Sequence, residues 1–286
     1  MMKTKDTELK KSFLTRLFTE EFYSGTRRVS AVLIAIFAFA FAIRLARSFQ
    51  IDRIEKDAVA YIWMAEDINE NGMDNAFAMN PRIPPLHIIL IVSGMKLGLD
   101  PRLAGILISA ISGALLIFPV FFIARRLFKT IMPSIISALV LAVYPDFVRL
   151  SSEILRDPLF YLFSSCAIWM IIESVKSGKS VFHLLAGLSV ALAASTRSEG
   201  MEIIIAYVLF CSWEAIFPAG GISFVTRTRK ILLRLIIFMI GFAVIAAPLE
   251  YVVSKTSSEW HVVDLRIYGY IKAVFNQEDD TGGAKK

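Results

Sequence analysis

Cysteine is nearly missing from this chain, with only Cys166 and Cys211 among 286 residues. Both fall inside apolar runs, so neither a disulfide framework nor a cysteine metal motif is implied. There is no internal repeat, no Gly/Ser linker and no low-complexity tract apart from the polar tail "NQEDDTGGAKK". A cleavable secretory signal is not expected either. The first apolar run starts at Val29, is long enough to span, and shows no small-residue cleavage site.

What the chain has in abundance is apolar sequence. It is 56% hydrophobic with a mean hydropathy of +0.61, where soluble domains stop near half. Seven runs have the length needed to cross a bilayer core of about 30 Å: 29–48, 103–124, 131–147, 158–175, 181–196, 201–217 and 231–249. The pattern predicts an all-α polytopic membrane protein. The net charge of +6 does not point to nucleic acid, because the basic residues cluster in short segments between the apolar runs, as topology determinants do.

The positive-inside rule sets the threading. With the N-terminal segment 1–28 cytoplasmic, "ARRLFK", "VKSGK" and "TRTRK" all fall on the cytoplasmic side, provided that the run after Pro84-Pro85 does not cross. Residues 85–99 are therefore read as a re-entrant or juxtamembrane helix. The membrane module covers 29–250, with an external loop at 49–102 and a short external tail at 251–286. On this threading three polar segments share the outer face: the loop 49–102, "SSEILRDPLF" (151–160) and "STRSEG" (195–200).

Each segment carries candidate groups with a simple structural alternative. In 54–72, Ala58, Tyr61, Ile62, Ala65 and Ile68 recur at helical spacing and Asn71-Gly72 offers a stop. Asp57 stands near that helix's N-terminus, either as a first-turn acid or as a functional carboxylate. Arg82 and His87 flank a proline turn, and Arg82 is a phosphate-binding fork or an interface anchor. Arg197 and Glu199 occupy a turn between two runs. Arg44 and Arg47, near the outer end of the first run, read as snorkelling residues or as further phosphate contacts. Glu153 and Asp157, four apart, would share one face of a helix, with Arg156 pairing to Glu153 and Asp157 capping the helix that begins at Pro158.

In order, "KDAVAYIWMAEDINENG", "RIPPLHIILI", "RLAGILISAISGALLIFPVFFIARRLF", "RLSSEILRDPLFYLF" and "HLLAGLSVALAASTRSEGMEIII" resemble the GT-C glycosyltransferases, specifically the protein O-mannosyltransferase and aminoarabinose-transferase-like group. The resemblance covers roughly residues 50 to 217. It implies a GT-C-like core and an enzyme of a prokaryotic plasma membrane, facing outward. Such an enzyme moves a sugar from a polyprenyl phosphate to a lipid, glycan or protein acceptor, with inversion. It further implies Asp57 as catalytic base, and Arg82, Arg197, Glu153, Asp157, Glu199, Tyr61 and His87 as substrate or phosphate contacts. Any divalent cation (Mg or Mn) would draw on Asp57, Glu153 and Asp157. Ser198 stands where the family's turn usually has proline, and His87 where an aromatic is more common. Sugar phosphates leave readily, so the chemistry needs a base and cations rather than a general acid. Two other classes are a non-catalytic membrane subunit that partners another protein, and a lipid-linked sugar transporter or flippase.

Overall fold

The computed structural model describes residues 26–51, 55–73, 83–217 and 223–254. The N-terminal stretch 1–25, Arg82 and the tail from 255 lie outside the described residues, and with them most of the N-terminal segment expected to be cytoplasmic and of the tail expected to be external. Among the described residues every regular element is helical. The helices are α1 (Thr26–Ser48), α2 (Lys56–Asn71), α3 (Leu86–Lys96), α4 (Pro101–Leu115), α5 (Ile117–Leu127) and α6 (Met132–Val143). They continue as α7 (Pro145–Ser152), α8 (Asp157–Ser177), α9 (Val181–Ala194), α10 (Glu202–Ile216) and α11 (Phe224–Ser254), with a 3-10 turn at Ser198–Met201.

Local chemistry explains the boundaries. Asp100 caps α4 by accepting from the Leu103 N–H at 3.1 Å, with Pro101 following it. Prolines in the first turn also open α6, α7 and α8, where a missing N–H costs no helical bond. Gly178 ends α8 in the left-handed conformation (φ 68°) that L side chains avoid. α2 stops at Asn71 as its sequence predicts, with the Gly72 N–H donating to Ile68 O at 3.0 Å. Its inward face is Ala58, Tyr61, Met64, Ala65 and Ile68, with the expected Ile62 partly buried against the same cluster and Met64 added to it.

Among the described residues, four stretches are long and apolar enough to cross a membrane: 27–48, 101–127, 157–177 and 224–253. A fifth is the pair α6–α7, if its 53° bend is taken as one broken span. Of the seven predicted runs, four or five thus coincide with helices of full spanning length, while α9 and α10 are shorter, at 14 and 15 residues. Two boundaries depart from the sequence reading. The run 131–147 breaks at Tyr144-Pro145, because Pro145 cannot donate to the preceding turn. "TRTRK", read as a loop, forms the opening turns of the 31-residue α11, since Arg and Lys are good helix formers.

Side-chain and backbone bonds define two ends of the bundle. At one end Arg102 donates to Ile51 O, Leu86 N–H donates to Ser195 O, and Asp157 meets Arg197. At the other, Arg126 grips Glu173 through two bonds of 2.6 and 2.5 Å, and Lys176 donates to Arg126 O. The start of α3 is tied to the first end, and its last turn packs there on the start of α4, where a Cβ on Gly94 would stand 2.7 Å from the Ala104 Cβ. An 11-residue helix of about 17 Å therefore lies along that end rather than running through the bundle.

Glycine sets the tightest packing. A Cβ on Gly187 of α9 would stand 2.0 Å from Phe238 O of α11, and one on Gly241 2.2 Å from Leu184 O. The two backbones approach where each presents a glycine to the other, the usual means of close association for membrane helices.

Arg44 corrects the snorkelling reading. It is fully buried and donates to Ala40 O at 2.9 Å, Ala142 O at 3.1 Å, Leu141 O at 3.3 Å and Ser151 Oγ at 3.2 Å. Leu141 O would normally accept from residue 145, which is a proline without an N–H. Arg44 supplies the missing donor and holds the bent pair. Arg47, one turn on, is exposed.

Candidate functional site

The site is built where α2, α3, the start of α8 and the turn after α9 meet. The docking of Leu86 onto Ser195 O sets His87 beside that turn. Tyr61, buried on α2, stands edge-on to His87 with ring centroids 5.1 Å apart and planes at 74°. His87 is 1% exposed, and neither ring nitrogen has a hydrogen-bond partner. Burial, and secondarily the Arg156 charge, hold its pKa down at about 3. The imidazole is therefore neutral across the physiological range.

The turn presents Arg197. Its backbone is extended, and the Gly200 N–H closes the turn by donating to Arg197 O at 2.9 Å. Gly200 is needed there, because a Cβ would stand 2.4 Å from the Ala194 nitrogen. The Arg197 guanidinium donates to Asp157 at the head of α8 and to Glu199 Oε1 at 3.0 Å. It also lies over the Phe160 ring, 5.7 Å from its centroid. The Glu199 bond, and then the Asp157 charge, raise its pKa against the effect of burial.

Asp157 accordingly does not cap α8. The cap position is Arg156, without a side-chain cap bond, and Asp157 turns to Arg197 instead. The Glu153–Arg156 pairing is not formed either. α7 ends at Ser152, and Glu153 is extended (φ −106°, ψ 163°), so Glu153 and Asp157 do not share a helix face. Glu153 lies apart, in a cavity of about 20 Å³ with Ser48, Glu55, Arg102 and Ser152. One of its carboxylate oxygens is buried without a partner. Burial raises its pKa; Glu55 adds to the rise, while Arg149 and Arg47 oppose it.

Tyr61 reports which charges converge. Burial raises its phenol pKa most, Arg156 pulls it down, Asp57 and Asp157 push it up, and Arg197 pulls it down. Asp57, exposed in the first turn of α2 and four residues before Tyr61, therefore shares a neighbourhood with the Asp157–Arg197–Glu199 cluster. Arg82 lies outside the described residues. The carboxylates that a cation would need do not converge. Asp157 is engaged by Arg197, Glu153 is in the other cavity, and no group of three His, Cys, Asp or Glu fit to hold a metal occurs among the described residues.

From Glu199 and Glu202 a cavity of about 560 Å³ runs between α8 and α10, lined chiefly by apolar side chains such as Phe160, Ile168, Ile171 and Phe210. The buried Ser164 hydroxyl on its wall has no partner. Sequence reasoning did not find this groove, because two neighbouring apolar helices carry no signal of a gap between them. It also passed over Arg156, taken as the local partner of Glu153.

A charged cluster at the mouth of an apolar groove in a helical membrane bundle suits a lipid-linked substrate. A family model described as dolichyl-phosphate-mannose-protein mannosyltransferase matches residues 82–247. The chain belongs to that family. No curated protein matches it. As a member of the mannosyltransferase family it is an integral membrane glycosyltransferase of the class that uses a polyprenyl-phosphate-linked sugar. The match takes in His87, Glu153, Arg156, Asp157, Arg197 and Glu199, and begins after Asp57 and Tyr61.

Proposed function

We propose that the chain transfers a sugar, with inversion, from a polyprenyl phosphate to an acceptor hydroxyl or amine at the bundle end where α2 and α3 lie, and that this end faces outward from a plasma membrane. The observation that carries the reading is the Asp157–Arg197–Glu199 cluster at the mouth of an apolar groove of about 560 Å³, with its charges acting on Tyr61, which stands one helical turn after Asp57 on α2. The groove suits an isoprenoid chain, and its mouth opens at Glu199, next to the cluster.

In this reading the Asp57 carboxylate takes the acceptor proton as the acceptor attacks the anomeric carbon. The bond from that carbon to the phosphate oxygen breaks, and polyprenyl phosphate leaves without a protonating acid. Tyr61 and His87 form the wall behind the sugar. Arg82 is a phosphate contact in this reading. Arg197, already held by two carboxylates, fixes the head of α8 to the turn after α9. The sugar is mannose or another hexose or pentose, and the acceptor a lipid, glycan or protein.

Asp57→Asn tests the proposal. In membranes supplied with a labelled polyprenyl-phosphate sugar, transfer is expected to fall by at least about a hundredfold, the scale of a lost general base. Unchanged transfer would remove Asp57 from the reaction and favour a non-catalytic subunit that acts with a partner.

A further inference from the structure

A donor phosphate at this site needs a cation that is not already spent. Arg197 is the obvious one by position, yet it is bound to two carboxylates, Asp157 and Glu199. One guanidinium against two carboxylates leaves that cluster with a net charge of −1, which does not welcome a further anion. Arg126 and Arg234 are likewise paired, to Glu173 and Glu214. Arg156 differs. It is half-buried, adjoins the cluster through Asp157, and has no carboxylate partner among the described residues.

Its setting favours an anion for two further reasons. Arg156 is the cap residue of the 21-residue α8, whose first backbone N–H groups and helix dipole point to this end. Pro158 lacks an N–H, so the guanidinium is the natural complement to the few donors remaining there. Arg156 also stands one helical turn before Phe160, whose N–H donates to Arg156 O at 3.0 Å, and the face it heads continues through Phe160, Ser164 and Ile168, which line the groove. Arg156 is also the charge that acts most strongly on both Tyr61 and His87.

We infer that Arg156, rather than Arg197, is the guanidinium that binds the phosphate of an isoprenoid phosphate at the head of α8, on the Phe160 side of the α8–α10 groove. This rests on the sugar-transfer reading and names the phosphate contact within it. Arg197 is then a positioning residue, which holds Asp157 aside so that Arg156 stays open to the anion.

The test uses the full chain in detergent micelles, with geranylgeranyl phosphate and geranylgeraniol as probes and binding followed by native mass spectrometry. Wild type is expected to prefer the phosphate by about tenfold or more, the scale of a charge-assisted contact. Arg156→Gln should lose that preference while binding the alcohol as before, and Arg156→Lys should recover part of it. Arg149→Gln, an exposed arginine on α7, should leave the preference intact. Phosphatidylglycerol added at equal concentration should not displace the isoprenoid phosphate. Because Arg156 makes no ion pair among the described residues, its loss strands no described carboxylate, and unchanged helical circular dichroism checks that the variant folds. If wild type prefers the phosphate and Arg156→Gln does too, the Arg156 assignment falls alone. An equal loss in Arg149→Gln also overturns it, as a general charge effect. Displacement by phosphatidylglycerol overturns the isoprenoid specificity. If wild type shows no preference, the donor reading falls and this assignment with it.

Discussion

Replacing Arg44 with methionine tests whether the bent pair α6–α7 depends on a borrowed donor. The side chain is fully buried, and its guanidinium reaches Leu141 O at 3.3 Å and Ala142 O at 3.1 Å, across the break that Pro145 creates. Methionine fills most of the volume but leaves both carbonyls, and Ser151 Oγ, without that donor. A buried polar group left unmet costs about 1–3 kcal/mol, so the two carbonyls together cost about 2–6 kcal/mol. Against this, removing a buried cation with no carboxylate partner relieves part of its desolvation cost. The expected net loss is about 1–4 kcal/mol. Arg44→Lys should be destabilising as well, since one ammonium cannot span Leu141 O, Ala142 O and Ser151 Oγ at once. The assay is reversible unfolding in mixed micelles by titration with a denaturing detergent, followed by far-ultraviolet circular dichroism. A methionine variant as stable as wild type, or more so, would refute the argument. It would mean that the break is held by packing alone, with the guanidinium a tolerated cost.

Three further outcomes follow from the same geometry. His87 has a folded pKa of about 3 against an ordinary 6.5, so below pH 6.5 the unfolded chain binds a proton that the folded one refuses. Stability is therefore lost as pH falls from 6.5 toward 3, and His87→Phe should flatten that loss in melting temperatures taken between pH 7.5 and 5. Gly241→Ala should lower the melting temperature by several degrees, because its Cβ would meet Leu184 O at 2.2 Å; an unchanged value would show that α9 and α11 separate freely. In a background without native cysteines, a cysteine at the 84%-exposed Leu97 should react with an impermeant maleimide from outside intact cells, and one at Lys179 should not. The reverse labelling would undo the outward orientation.

The helices were legible because burying backbone in lipid demands long apolar runs, and length is a property that a sequence shows directly. What length cannot show is how a run is broken. "LAVYPDF" carries the proline that bends the α6–α7 pair by 53°, but the fold tolerates it only because Arg44, 97 and 98 residues away from its two acceptors, provides the donor. A reading confined to neighbours saw an arginine near a membrane edge and assigned it to the interface. The 3.0 Å separation that a Cβ on Gly113 would have from Arg44 Nε shows how closely the surrounding backbone is fitted to that side chain.

The site divides in the same way. Asp57 and Tyr61 could be placed together from helical spacing alone, four residues apart on one element. "SEILRDP" could not be resolved, because each of its charges had a sufficient local explanation: a cap for Asp157 and an i, i+3 pair for Arg156. Both explanations fail on long-range geometry. Asp157 finds Arg197, 40 residues on, and the chain leaves the helix at Glu153, so Arg156 has no carboxylate one turn behind it. One ion pair therefore decides two roles. By taking Asp157 it neutralises Arg197 and leaves Arg156 without a carboxylate partner among the described residues, and the cation that local reasoning had already balanced becomes one with charge to offer.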